Sequence, residues 1–181
     1  MKYDLNNEQR YSKREHYLYE GGWLEAKYDF GIEVISDRVV RKHAMASNKE
    51  MFDIIQAICL HFINHPNKLV VPTYSFKAGS IAGSKYNAHS YHYDMMRMAP
   101  LSHDEMMFLS SYRHAANNTV DNYNHYRKLA DFLDKVMSEG RYRDLHDMNV
   151  MKDEDDNFRL IDLEGFYLSP LNRAENNWLR E

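Results

Sequence analysis

Three polar residues near the end of the chain have types and spacing that could do chemistry together. Asp144 and Asn149 lie five apart in "YRDLHDMN", and Asp162 closes the apolar run "FRLID". A carboxylate can position an attacking hydroxyl and accept its proton. An amide oxygen and a second carboxylate are hard oxygen donors of the kind Mg²⁺ prefers. Between them stand "VMK" and "FRLID", which read as two short strands closed by "DEDDN". Such a hairpin would return Asp162 beside Asn149, so that these two share a metal while Asp144 faces a substrate. That set of roles is the chemistry of phosphoryl transfer. The other acids of the stretch are expected to be ordinary: Asp153, Glu154, Asp155 and Asp156 a solvated turn, Asp147 a loop residue, Glu164 without an assigned role. "KDEDDN" lacks the ligand spacing of a calcium-binding EF-hand loop.

Positioning these residues requires elements upstream. "GIEVIS" and "DRVVRKH" alternate with period two and are rich in β-branched residues, with Ser36-Asp37 as the turn between two strands. Ser47 and Glu50 have capping-box spacing before "MFDIIQAICLHFI", a helix that Pro66 must stop. "KLVVPTYSF" and "NAHSYHYDMMRM" read as two further strands around the turn "KAGSIAGSK". Ser102 and Glu105 form a second capping box. A helix over 119–138 follows, with Val120, Tyr123, Tyr126, Leu129, Leu133, Val136 and Met137 at a 3.6-residue period, ended by Gly140. Strands with one helix, then helices, then a hairpin make an α+β pattern in two unequal halves.

At this point the residues resemble a family. Tyr142-Arg143-Asp144-Leu145-His146-Asp147-Met148-Asn149 is similar to the protein-kinase catalytic loop H-R-D-L-x-x-x-N, with Tyr142 in place of the His. Asp162-Leu163-Glu164-Gly165 resembles the D-F-G metal motif, and more closely the D-x-E form of aminoglycoside and other small-molecule kinases. The resemblance implies a bilobal protein-kinase-like fold: an arm over 1–20, a small β-rich N-lobe over 21–98 and a reduced helical C-lobe over 99–181. It implies Asp144 as catalytic base and Asn149 and Asp162 as magnesium ligands, with ATP as the nucleotide. A strand lysine should contact the ATP phosphates. Either Arg41 or Lys42 can face that way, but not both, because strand side chains alternate; Lys42 keeps the family's residue type. Its acidic partner is Glu50 or, one turn later, Asp53. Backbone at Met96 to Met98 takes the adenine-binding place. "GGWLEAKYDFGIEV" has no G-x-G-x-x-G, though a turn over "AKYDFG" could cover phosphates with backbone N–H groups. After Gly165 the chain is too short for an activation segment and peptide-docking helices, so the resemblance is to a minimal, atypical member.

Composition narrows the field. The chain has 181 residues, 44% of them hydrophobic and 28% charged, and a formal net charge of −4. Such a balance gives no basic excess to drive nucleic-acid binding, and none is expected. The single cysteine, Cys59, sits in an apolar run and reads as a small buried hydrophobe; it allows neither an intrachain disulfide nor a cysteine zinc site. The N-terminal residues lack the apolar core of a signal peptide, and no window is long and apolar enough to span a membrane, so a cytoplasmic protein is expected. His61 and His65, four apart, have no third zinc ligand in sequence. Two functions compete: an active ATP- and Mg²⁺-dependent phosphotransferase acting on a protein hydroxyl or a small molecule, and a pseudokinase or interaction module. The latter would bind nucleotide or a partner protein, with the 14 tyrosines supplying an aromatic contact surface.

Overall fold

The structure is a computed structural model that describes residues 30–79, 89–114, 124–139 and 142–166. The expected arm over 1–20, the stretch 21–29, most of the "KAGSIAGSK" turn, residues 119–123, Gly140 and the tail after Phe166 lie outside the described residues. The fold is α+β. The chain divides into two units, one containing residues 30–66 and 72–97, the other 67–71 and 98–166.

The first unit is built on an antiparallel sheet of four strands, β1 (Phe30–Val34), β2 (Val39–Met45), β3 (Thr73–Ala78) and β4 (Ser90–Met96), in the order β1-β2-β4-β3. The β1–β2 turn forms where Ser36 and Asp37 stand. Ser36 Oγ accepts from the N–H groups of Arg38 and Val39, both at 3.2 Å, as short hydroxyl side chains do in turns. Register then assigns faces. Ile32 pairs with Lys42 and Lys42 with Tyr93, while Val40 pairs with Met95. These residues share the buried face, and Glu33, Arg41, His43, His92 and Asp94 share the other. Helix α1 (Lys49–Asn64) contributes Phe52, whose ring meets Phe76 at 5.9 Å and Tyr91 at 6.1 Å. Cys59 is fully buried on α1, as its apolar neighbours require.

Two expectations are corrected here. The α1 N-cap is Asn48, whose side chain accepts from the Met51 N–H at 2.8 Å, so Ser47 and Glu50 form no capping box. Asn caps as well as Ser, and starting one residue later places an amide oxygen at the third helical N–H. The strand expected over "KLVVPTYSF" is cut at Pro72. Residues Leu69 to Val71 belong to the second unit, where Val70 bridges Leu160 in parallel and Val71 N–H donates to Leu160 O at 2.8 Å. Pro72 has no N–H with which to continue a ladder.

The second unit has a three-stranded antiparallel sheet, β5 (Ala99–Pro100), β6 (Val150–Lys152) and β7 (Phe158–Leu160), in the order β5-β6-β7. Helix α2 (His103–His114) opens on the expected capping box. Ser102 N–H donates to Glu105 Oε2 at 2.7 Å, and Glu105 N–H donates to Ser102 Oγ at 3.2 Å. Helix α3 (Arg127–Glu139) starts later than the periodicity suggests, because Asn124 to Tyr126 form a turn; asparagine competes with helix through its own side chain. Leu129, Leu133 and Val136 are buried as expected, whereas Met137 is exposed. Tyr112 Oη donates to Asp134 Oδ1 at 2.7 Å, tying α2 to α3, and Phe132 meets Phe158 at 6.0 Å, tying α3 to the hairpin. Among the described residues no helix is long and apolar enough to cross a membrane.

The hairpin turn is the third correction. Asp153 is not solvated but buried. Its Oδ1 accepts from the N–H groups of Asp155 (3.0 Å) and Asn157 (2.9 Å), and its Oδ2 from Arg159 Nε (3.0 Å) and Nη2 (2.8 Å). Asn157 Nδ2 reaches both oxygens at 3.1 Å. Asp156 completes the turn at φ 58°, a left-handed conformation that Asp tolerates. Glu154, Asp155 and Asp156 are exposed.

Candidate active site

The residues selected by spacing come together within the second unit. Closing the β6–β7 hairpin pairs Val150 with Leu160, and Ile161 N–H donates to Asn149 O at 3.0 Å. Asp162, the next residue, leads into the 3₁₀ turn Leu163–Gly165, and Gly165 N–H donates to Asp162 O at 3.1 Å. The segment leading to Asp144 is fastened to the same turn: Arg143 N–H donates to Gly165 O at 2.8 Å, and Tyr142 bridges Phe166.

Asn149 is 2% exposed and its amide nitrogen is fully engaged. Nδ2 donates to Asp144 O at 3.0 Å and to Asp144 Oδ2 at 2.8 Å. An amide has two N–H donors, so the remaining acceptor of this side chain is Oδ1. Asp144 itself is more than half exposed, its side chain at 58%.

Tyr142 was legible only as a departure from a motif, yet its ring packs on the turn that follows Asp162. Its ring is buried and its hydroxyl makes no hydrogen bond of acceptable geometry. Burial first, then the charges of Asp162, Asp144 and Glu164, push its pKa well above the usual phenol value; the nearby Asn149 amide opposes this weakly. Gly165 lets the Tyr142 ring pack against the turn backbone, since a Cβ there would sit 2.5 Å from Tyr142 Cζ and 2.7 Å from its Oη. Gly165→Ala is therefore expected to cost about 1–3 kcal/mol through overpacking, measured by urea denaturation. Adding Tyr142→Ala should remove most of that increment in a double-mutant cycle; an unchanged unfolding midpoint for Gly165→Ala alone would show that the ring yields.

His146 is the second residue that spacing alone did not select. Its Nε2 lies 3.4 Å from Asp144 Oδ2. Its sequence signal was the D-L-H-x-x-N pattern of residues 144–149, which resembles the small-molecule-kinase form; it stands at the start of a turn closed by Asn149 N–H donating to His146 O at 3.0 Å.

The first unit holds the other selected residues. Arg41 is committed: its Nε and Nη2 donate to Asp94 at 2.7 and 3.0 Å on the polar face of the sheet. Lys42 points to the opposite face, is 6% exposed and has its Nζ 5.8 Å from the Tyr93 ring centroid, a cation–π distance. Glu50 is exposed in the first turn of α1, and Asp53 pairs with Lys49 at 2.6 Å. Met96 N–H donates to Pro72 O at 2.9 Å and Arg97 N–H to Arg38 O at 2.8 Å, so neither is available to a base. Met98, in the second unit, is 1% exposed.

Among the described residues no group of three or more His, Cys, Asp or Glu side chains is placed to hold a metal ion. Asn149 Oδ1 and the Asp162 carboxylate are hard oxygen donors, and Mg²⁺ is commonly held by one or two such groups together with substrate phosphates.

No protein-family model matches the chain, and no curated protein matches it. Among solved structures it is similar to the crystal structure of monomeric WbdD, at 19% sequence identity and a TM-score of 0.42, over 87% of this chain. The chain spans 37% of the length of that protein.

Proposed function

We propose that this chain is an ATP- and Mg²⁺-dependent phosphotransferase, a minimal kinase-like enzyme with a bilobal arrangement, acting on a protein Ser, Thr or Tyr hydroxyl or on itself. The observation that carries the reading is the Asn149 side chain. Both of its N–H groups hold Asp144, which leaves Oδ1 as the end of the amide that Asp144 does not engage, while its backbone carbonyl accepts from Ile161, the residue before Asp162. Both partners are acceptors, so the nitrogen end must face them, and the oxygen is the end left for a hard cation.

In the proposed reaction Asp144 orients the acceptor hydroxyl and takes its proton as the oxygen attacks the γ-phosphorus. The bond from that phosphorus to the bridging oxygen breaks, and ADP leaves with the electron pair. Magnesium, when bound, neutralises charge on the phosphates, and Asn149 and Asp162 are the residues that would hold it. Lys42, with Glu50, is the assignment for contacts to the ATP phosphates. The Met96–Met98 backbone, other than the engaged N–H groups of Met96 and Arg97, is the assignment for adenine.

ATP with Mg²⁺ is expected to raise the melting temperature by several degrees, since a ligand that binds only the folded state stabilises it. Asn149→Ala together with Asp162→Ala should abolish the Mg²⁺-dependent part of that shift. No shift at millimolar ATP·Mg²⁺ removes the nucleotide site. A shift without transfer of labelled γ-phosphate to the chain or to proteins of a lysate makes this a nucleotide-binding pseudokinase.

A further inference from the structure

We propose that His43 and His92 form a pH-operated lock on the sheet of the first unit: with both rings neutral β2 is held to β4, and proton uptake loosens the two strands. The two histidines stand directly opposite each other in the β2–β4 register, on the polar face, with ring centroids 5.5 Å apart. The His43 side chain is only 8% exposed, although it lies on the face that carries the charges. Its Nε2 is 2.8 Å from Glu33 Oε2 on β1. An ionised carboxylate only accepts, so the neutral ring carries its hydrogen on Nε2. A second proton must go to Nδ1, an atom sealed from solvent.

The charged groups around the pair compensate that proton poorly. Among the described residues, Glu33 faces His43 from β1, Arg41 from β2, and His92 and Asp94 from β4, while Lys77 on β3 stands opposite His92. Both acids already serve a partner: Glu33 holds His43, and Asp94 accepts from Arg41 Nε and Nη2 at 2.7 and 3.0 Å. Arg41 and Lys77 repel a new positive charge on this face, and a charge on one ring repels a charge on the other. Burial accordingly holds the His43 pKa below the ordinary histidine value, and the Glu33 contact offsets this only in part. Burial, then Arg41 and His43, lower His92 in the same direction. The unfolded chain therefore takes up protons more readily than the folded one. Stability is full above the ordinary histidine range and is lost as pH falls through that range towards the lowered folded values. The same strand carries Lys42, so under the phosphotransferase reading the lock acts on the residue assigned to the ATP phosphates; the lock itself does not rest on that reading.

The experiment uses the full chain without nucleotide. Amide hydrogen-exchange protection factors, which remove the intrinsic pH dependence of exchange, should fall in β2 and β4 between about pH 7.5 and 5.5, the span in which histidine changes charge. His43→Gln keeps an N–H donor for Glu33 but cannot take up a proton, and should retain most of that protection at the lower pH. Protection that is unchanged across this span in the parent chain overturns the lock, as does a fall of the same size in His43→Gln. A second measurement needs no variant. NMR titration of the ring resonances in the parent chain should place His43 below the ordinary histidine value, and titration at or above that value overturns the lock. In His43→Gln the His92 ring should titrate higher than in the parent, because a neighbouring positive charge is gone. An unmoved His92 overturns the pairing of the two rings.

Discussion

Asp144→Asn is expected to lower phosphate transfer by about 10²–10⁴-fold, the usual contribution of a positioned general base, while leaving the ATP·Mg²⁺ thermal shift in place. The substitution keeps the shape of the side chain. Asn149 Nδ2 would still find an amide oxygen where it now finds Oδ2 at 2.8 Å, and the backbone contact to residue 144 at 3.0 Å does not depend on the side chain. What is lost is an oxygen able to hold a proton. Initial rates with γ-labelled ATP measure the effect. A rate equal to that of the parent chain would remove Asp144 as the base, and a fall of less than tenfold would leave it only an orienting role. Binding and transfer separate cleanly here because the proposed metal ligands, Asn149 and Asp162, are not altered.

The second large effect is on stability and falls on a residue outside the chemistry. Asp153→Ala is expected to cost about 3–5 kcal/mol, the range for removing one partner of a buried ion pair. The carboxylate is 8% exposed and Arg159 17% exposed at the side chain, with 2.8 Å between Nη2 and Oδ2. Its loss would strand the guanidinium and also the N–H groups of Asp155 and Asn157. Chemical denaturation measures the change, and a loss below 1 kcal/mol would show that the network does not hold the hairpin. The pH dependence has a defined sign. Burial raises the Asp153 pKa, but hydrogen bonds from Asn157, Arg159 and Asp155 outweigh it and hold the group below the ordinary carboxylate value. The folded state therefore favours the ionised form. The stabilisation is present above the ordinary carboxylate range and is lost as pH falls through that range towards the lowered folded value. Asp153→Asn should flatten that acid limb. The hairpin sets Asn149 against Ile161, so the same variants should also weaken the nucleotide-dependent thermal shift.

Much of the local structure was legible because it is encoded within a few residues. The Ser102–Glu105 capping box is a pattern of four positions and formed as expected. The β6–β7 hairpin followed from two apolar runs around an acidic turn, and it brought Asn149 to the level of Ile161 and Asp162. Strand alternation required Arg41 and Lys42 to face opposite ways, which the register of β2 with β4 bears out.

What could not be read were the features that depend on which neighbour arrives after the chain has folded. Asp153 looked like one acid among several in a charged turn. Only the register that sets Met151 opposite Arg159 delivers the cation that allows it to be buried. Pro72 sits in an apolar run that reads as one strand, but its missing N–H divides the run between two units. Asn48 and Ser47 are near-equal caps in sequence, and the helix start decides between them. Asn149 was chosen for its residue type, while the direction of its amide, with nitrogen on Asp144, came from the loop geometry alone. His146 and Tyr142 belong to the same class. Periodicity and spacing determine which residues can be hydrophobic, turn-forming or acidic at a given place. Whether a polar atom is buried, and which partner it meets there, is decided by the register and loop geometry of the folded chain, because burial of a polar group is tolerated only when its hydrogen-bonding partner is brought to it.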